Sequence, residues 1–374
     1  MHDPHSPPRV SVVLPVFNAA RYVAEALDSI LGQTLRDCEC IVIDDGSTDG
    51  TPTILAGRAA LDPRIRIVSR PNRGLTRTLN EGIGLARAAF VAIMNADDIA
   101  SPGRLEKQVA FLDAHPRVAA VGSATITFAE AGPRKVVAEP PADPTALRSL
   151  LMRTSPFAHP TVMFRKQAVV DAGMYRPQFE PAEDYDLWLR LAERHDLANL
   201  TEPLLEYRVH AGQATARAFE RVAVAMLAAQ AAARLRQAGH RDPTQDLDTI
   251  DRDAAARLGV TDAAIARAAI LAALGRAEML LAVGASAETV HEILGGVAAG
   301  RVGRDAPRLL AAARLWIYAR MLLADGRRAA AISGFIRAAL ADGAFRARLA
   351  GAVGRRLTGG TYSRFQSRNQ ATNA

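Results

Sequence analysis

The sequence predicts an α/β unit built on a mixed central sheet, followed by an all-α C-terminal region. Three observations predict it. Short apolar runs rich in β-branched residues alternate with segments whose apolar residues recur at helical spacing, the sequence form of a parallel sheet flanked by helices. After Asp97-Asp98 this changes to residue-by-residue apolar/polar alternation around Gly132-Pro133, which suggests antiparallel strands. Beyond Gly212 alanine and arginine dominate, and the periodicity is helical throughout.

Taken in order, Val10-Ser11-Val12-Val13-Leu14-Pro15-Val16 is a first strand, ended near Pro15. Phe17-Asn18-Ala19 turns into a helix marked by Tyr22, Val23, Ala26, Leu27, Ile30 and Leu31 and ended by Gly32. Cys40-Ile41-Val42-Ile43 is a buried strand, and Asp44-Asp45-Gly46-Ser47-Thr48-Asp49-Gly50 is the loop at its carboxyl end. Thr51-Pro52 opens the next helix. Ile65-Arg66-Ile67-Val68 is a third strand, and Asn72-Arg73-Gly74 leads into a helix carrying Leu75, Leu79, Ile83 and Leu85. Ala89-Phe90-Val91-Ala92-Ile93-Met94 is a fourth, buried strand with Asn95-Ala96-Asp97-Asp98 at its carboxyl end. Open α/β sheets place their ligand crevice at such ends. A helix over residues 102–115, strands over 118–122, 161–164 and 204–209, and an amphipathic helix over 183–195 complete this part. The expected division is a disordered N-terminus (1–9), the α/β domain (10–216), a helical domain (217–357) and a basic disordered tail (358–374).

The chain has 374 residues, long enough for two domains, with 49% hydrophobic and 23% charged residues, as in an ordinary globular protein. Net charge is +7, and after Asp342 there are arginines but no acids. Such a tail either serves an anionic partner or is merely solvated. Nucleic acid is not expected, because no recognition module or aromatic–basic platform is visible. The two cysteines, Cys38 and Cys40, share one strand face. They are too few for a zinc site and badly placed for a disulfide, so they read as core residues in a reducing compartment. Met1 to Arg9 is polar and proline-rich, unlike a signal peptide, and no apolar stretch is long enough to span a bilayer. The expected location is cytoplasmic, with peripheral contact to the inner face of the membrane.

Three acidic clusters follow strands or lie in the adjoining region: Asp44-Asp45, Asp97-Asp98 and Glu183-Asp184. Each has a local explanation: an Asx turn with Gly46, a helix cap near Pro102, and the first turn of a helix. Adjacent carboxylates repel, however, and a divalent cation with hard oxygen ligands relieves that repulsion. Three clusters in one α/β domain point to a shared site.

With these clusters stand Leu14-Pro15-Val16-Phe17-Asn18, Asp44-Asp45-Gly46-Ser47-Thr48-Asp49, Asn72-x-Gly74, Asn80-x-Gly82, Asn95-Ala96-Asp97-Asp98, His159-Pro160-Thr161-Val162 and Glu183-Asp184-Tyr185-Asp186-Leu187-Trp188-Leu189. In this order and spacing the segment from Val10 to about Gln213 resembles family 2 of the inverting nucleotide-sugar glycosyltransferases, which have the GT-A fold. The resemblance implies a metal-dependent transferase moving a sugar from a nucleoside-diphosphate donor to a hydroxyl of a surface glycan or lipid-linked precursor. It places Pro15, Phe17, Asn18, Asp45, Asn72, Asn95 and Asp97 at the donor. Asp97, Asp98 and His210 would hold Mn²⁺ or Mg²⁺, Asp184 would be the base, and Glu183 would orient it or contact the acceptor. Trp188 admits two readings, sugar stacking or core packing. The sequence departs from the family at Asn95, usually Asp, and at Leu79, where many relatives carry a diphosphate-binding arginine. Arg70, Arg73, Arg77 and Arg104 are the candidates to replace it. Two other readings stay open: a nucleotidyltransferase, or a non-catalytic glycan- or partner-binding protein on the same scaffold.

Overall fold

The computed structural model describes residues 7–129, 135–210, 218–299, 302, 306–324 and 326–357. The expected boundary near 216, the tail from 358 and residues 1–6 lie outside them. The described residues divide into two compact units. One runs to Ile126 and resumes over Val137–Arg208; the other takes Thr127–Val136 and everything from Val209.

The sheet of the first unit begins with β1 (Val10–Val16), β2 (Cys38–Asp44), β3 (Ile65–Ser69) and β4 (Phe90–Ile93). It continues with β5 (Ile99–Ala100), β6 (Val118–Ala129), β7 (Lys135–Ala138), β8 (Met163–Arg165) and β9 (Asp196–Val209). The strand order is β3-β2-β1-β4-β8-β6-β9-β5, with β7 on β6. β1 pairs in parallel with β2 and β4, and β2 with β3. β8 is antiparallel to β4 and β6, and β5 to β9. The mixed sheet therefore appears, and its first four carboxyl ends share one edge. Helices α1 (Val23–Leu31), α2 (Thr51–Leu61), α3 (Leu75–Leu85), α4 (Arg104–Ala114), α5 (Pro144–Leu151), α6 (Lys166–Asp171) and α7 (Glu183–Leu191) complete the unit.

Every residue of β2 is buried, as befits a strand lined on both sides and covered by helices. Cys38 and Cys40 are buried free thiols there, and burial pushes both up from the usual thiol range. α3 packs close to β1 because Gly82 has no side chain: a Cβ would lie 2.4 Å from Val13 Cγ1. Gly82→Ala is expected to cost about 1–3 kcal/mol through overpacking, against a helix-propensity gain of at most about 1 kcal/mol. A lower urea midpoint would show this; an unchanged midpoint would mean the helix shifts freely.

Three boundaries differ from the sequence expectation. The helix begun at Glu183 ends at Leu191, and residues to His195 form a turn closed by Arg194 N–H on Leu191 O. β9 starts at Asp196 and passes through Pro203, where the expected strand began at Leu204. Residues 159–161 form a 3₁₀ turn instead of a strand start, with Pro160 supplying the fixed backbone angle.

The second unit is helical: α8 (Phe219–Gln237), α9 (Arg252–Arg257), α10 (Asp262–Ala282), α11 (Ala287–Ala299), α12 (Pro307–Ala324), α13 (Arg328–Ala341) and α14 (Gly343–Leu357). Alanines make up much of the buried surface of α8, α10 and α12. α9 and α10 are capped by Asp251 and Thr261, whose side chains accept from Ala254 N and Ala264 N. α10, α12 and α14 are tied by the buried Glu278, which accepts from Trp316 Nε1 at 2.6 Å and Arg348 Nη1 at 2.8 Å.

Candidate active site

Loops at the shared edge are bound to one another before any ligand is considered. Asn18 sits in the left-handed region at φ 48°, a conformation asparagine tolerates better than most residues. Its N–H donates to Ser47 Oγ at 2.9 Å, and its Oδ1 accepts from Thr48 N at 2.8 Å. Ala19 N–H donates to Thr51 Oγ1 and Ala20 N–H to Asp49 Oδ2. The β1 and β2 loops thus form one piece, and Phe17 stands out from it, 52% exposed.

Asp45 joins a third loop to this piece. Its Oδ1 accepts from Arg73 N at 2.8 Å and from the Arg70 guanidinium, and its Oδ2 from Gly74 N at 3.0 Å. Asn72 Oδ1 also accepts from Gly74 N, at 3.2 Å. A carboxylate offers about four lone-pair sites, so Asp45 keeps about one for anything else. Arg70 is committed to Asp45, Glu81 and Thr78. Arg104 is buried against Ile93 O and Gln108; burial pushes its guanidinium down to about 10 despite the pull of Asp98. Of the four candidate arginines, Arg73 and Arg77 are the ones exposed at the loop and the start of α3.

At the end of β4 the two acids separate. Asp98 is enclosed: Oδ1 accepts from Arg208 N at 2.9 Å and Oδ2 from Asn95 Nδ2 at 3.3 Å. Burial, then the neighbouring Asp97 charge, pushes its carboxyl well up from the usual range. Arg208 also donates from Nε to Asp97 O at 2.8 Å and pairs with Glu25. Asp98 therefore fastens this loop to β9, while Asp97 remains partly exposed. Among the described residues no three His, Cys, Asp or Glu side chains gather as a metal cage. One partly exposed carboxylate beside a repelled neighbour suits a cation that draws its other ligands from substrate phosphates and water. His210 follows β9 and belongs to the second unit.

α7 opens on the other pair. Glu183 is buried, and its Oε2 has no hydrogen-bond partner. Burial, then the Asp184 charge, pushes its carboxyl up to about 8, so at neutral pH Glu183 holds its proton. Asp184 is partly exposed and accepts from Tyr185 N at 2.7 Å through Oδ1, at a helix N-terminus that favours negative charge. The two adjacent acids thus sit in different environments, Glu183 enclosed and Asp184 partly exposed. Beside them His159 Nε2 and Tyr175 OH are 2.8 Å apart. Burial lowers the imidazole against the pull of Asp184, and burial with the Asp184 and Glu183 charges raises the phenol.

Several motif residues turn out to be framework. Trp188 is fully buried, edge-on to Phe157 at 5.4 Å and to Tyr175 at 6.3 Å, so the core-packing reading holds. Asn80 spans Tyr175, accepting from its N–H at 3.0 Å and donating to its carbonyl at 2.8 Å. Glu180 accepts from Thr76 Oγ1 and N–H at the start of α3. Asp186, a motif residue with no role assigned above, is 0% exposed and paired with both Arg176 and Arg190. The signal for it was present in the spacing, since Arg190 follows Asp186 by one helical turn.

A model of the family described as glycosyl transferase family 2 matches residues 11–173, ending before Glu183. EpsE of Bacillus subtilis is 36% identical over 214 residues, covering 54% of this chain and 74% of EpsE. The amylovoran biosynthesis glycosyltransferase AmsE of Erwinia amylovora is 33% identical over 202 residues, covering 53% of this chain and 75% of AmsE. S. aureus TarS, solved with UDP-GlcNAc, shares the fold with a TM-score of 0.51 at 19% identity, over 82% of this chain and 87% of that one. The nucleotidyltransferase and non-catalytic readings give way to these matches. With a GT-A α/β sheet, a helical C-terminal region and close relatives of this kind, the chain belongs to glycosyl transferase family 2 and is a glycosyltransferase.

Proposed function

We propose that the protein transfers a sugar, with inversion, from a nucleoside-diphosphate donor to a hydroxyl of a surface glycan or lipid-linked precursor. The observation that carries this reading is the placement of Asp184, partly exposed at the start of α7 beside the buried Glu183. AmsE, named for amylovoran biosynthesis, and TarS, solved with UDP-GlcNAc, support the substrate class.

Asp184 takes the acceptor hydroxyl proton as the oxygen bonds to the anomeric carbon, and the bond from that carbon to the diphosphate oxygen breaks. Glu183, already protonated, adds no second negative charge beside the base. Phe17 offers its exposed ring to the nucleotide base, next to Pro15 and Asn18, and Asp45 has about one lone pair left for a base N–H. Asn72 and Asn95 line the donor from the loops after β3 and β4. Asp97 would hold Mn²⁺ or Mg²⁺, with Asp98 fixing the loop behind it. Such a cation would neutralise charge on the departing diphosphate; Arg73 and Arg77 are placed to add to that.

Binding of UDP-, GDP- and dTDP-sugars, measured by calorimetry with Mn²⁺, Mg²⁺ or EDTA, tests this. One donor should bind in a metal-dependent way, and Asp97→Ala should weaken it by about tenfold or more, the loss of one charge-assisted contact. Failure of every donor with every metal would overturn the reading, and wild-type affinity in Asp97→Ala would remove that residue from the cation.

A further inference from the structure

The outward face of α13 has no counterpart elsewhere among the described residues. Its inner face is tightly seated. Ala331, Gly334 and Ala338 are buried, a Cβ on Gly334 would come within 2.8 Å of Ala319 Cβ, and Phe335 packs its ring 4.8 Å from Trp316. On the other side Ile332 is 55% exposed, Ile336 47% and Leu340 80%. Successive members of this set are four residues apart, so they form one stripe along the helix. Single exposed aliphatic residues are ordinary on a protein surface, but an aligned row of three is not.

Charge surrounds the stripe. Arg327, Arg328 and Arg337 are exposed beside it, and Arg346 is exposed on α14. From Arg327 to the C-terminus the sequence carries nine arginines and one acid, Asp342. That net of +8 exceeds the +7 of the whole chain, so the remainder is close to neutral. Arg348 is turned inward to Glu278; the others named are not so used.

We propose that α13 is a membrane-docking helix that lies in the surface of a bilayer containing anionic lipids, with Ile332, Ile336 and Leu340 in the apolar boundary and the arginines at the headgroups. The chemistry selects this occupant. A second copy would set one strongly basic face against another. Nucleic acid would meet the charge but gain nothing from an aliphatic stripe. A lipid surface supplies negative charge and an apolar phase side by side. The helix is 14 residues long, about 21 Å, too short to cross a bilayer, and no described helix is long and apolar enough to do so. It would therefore lie flat. The inference rests on the second unit's surface and is independent of the donor assignment.

The test is flotation of the full-length protein, without donor, on phosphatidylcholine vesicles with and without phosphatidylglycerol. The wild type should float with the anionic vesicles alone, and added salt should weaken the association. Ile332→Ser/Ile336→Ser/Leu340→Ser should reduce partitioning by about tenfold or more, since three aliphatic side chains that the bilayer would cover are lost. Arg327→Gln/Arg328→Gln/Arg337→Gln should weaken it and flatten its salt dependence. All six side chains are exposed, so melting temperature should change little; donor binding on the same samples reports the first unit separately. Flotation of the serine variant equal to wild type would overturn the proposal. So would absence of flotation, or a dimer seen by light scattering that the serine variant abolishes.

Discussion

Asp184→Asn is expected to lower sugar transfer by a factor of about 10²–10⁴, the usual contribution of a general base, while donor affinity stays within about twofold. The substitution keeps size and keeps an oxygen for Tyr185 N–H, so folding should survive and the loss should fall on turnover. Glu183→Gln should behave differently. Glu183 already holds its proton at neutral pH, and a neutral amide replaces a neutral acid, so most activity should remain. The pH dependence should separate the two further. Between the ordinary glutamate value of 4.5 and about 8 the folded protein holds a proton on Glu183 that the unfolded chain releases. Its contribution to stability therefore falls as pH rises across that window, and above it Glu183 carries a buried negative charge. Glu183→Gln should remove this fall. Steady-state turnover from pH 6 to about 9, with urea melts at the same pH values, would read both effects. Equal losses of turnover in the two variants at neutral pH would mean that Glu183 takes part in proton transfer.

Asp186→Ala should be the most damaging change to stability. Both oxygens of this buried carboxylate are used: Oδ2 accepts from Arg176 Nε at 2.9 Å and from Arg190 Nε and Nη2 at 3.0 and 2.8 Å, and Oδ1 pairs with Arg176. Removing one partner of a buried pair costs about 3–5 kcal/mol, because the remaining charge is left buried and unpaired; here two guanidiniums, 13% and 9% exposed, would be left. A melting temperature lowered by about 10 °C is the expected result. Arg190 also donates to Met174 O, so the segment carrying Tyr175 and Glu180 should loosen together with α7. A shift below about 2 °C would show that the arginines find other acceptors.

These two aspartates, two residues apart, mark what could be read from the sequence. Strand ends, their loops and the candidate residues upon them were legible because periodicity and turn chemistry are local. What each acid does was not. Asp45, Asp98 and Asp186 look the same on paper as Asp97 and Asp184. The first three differ in that donors reach them from other parts of the chain: Arg73 N to Asp45, Arg208 N to Asp98, Arg176 to Asp186. Nothing near Asp98 in sequence announces Arg208, because the contact depends on β9 lying beside β5. Asn80 and Gly82 stood out as a motif for the same reason. They hold Tyr175 and clear space for Val13, and the partners of both are remote in sequence. Trp188 was undecided because helical spacing gives its face but not the aromatic rings that cover it.

The two thiols in the middle of the sheet carry a chemical consequence. Sulfur attacks electrophiles and oxidants as thiolate, and burial holds Cys38 and Cys40 in the protonated form between strands paired on both sides. The folded chain therefore presents no nucleophilic sulfur. An alkylating reagent can mark either residue only when β2 parts from its neighbours, which makes its slow uptake a clock for the opening of the enzyme's centre.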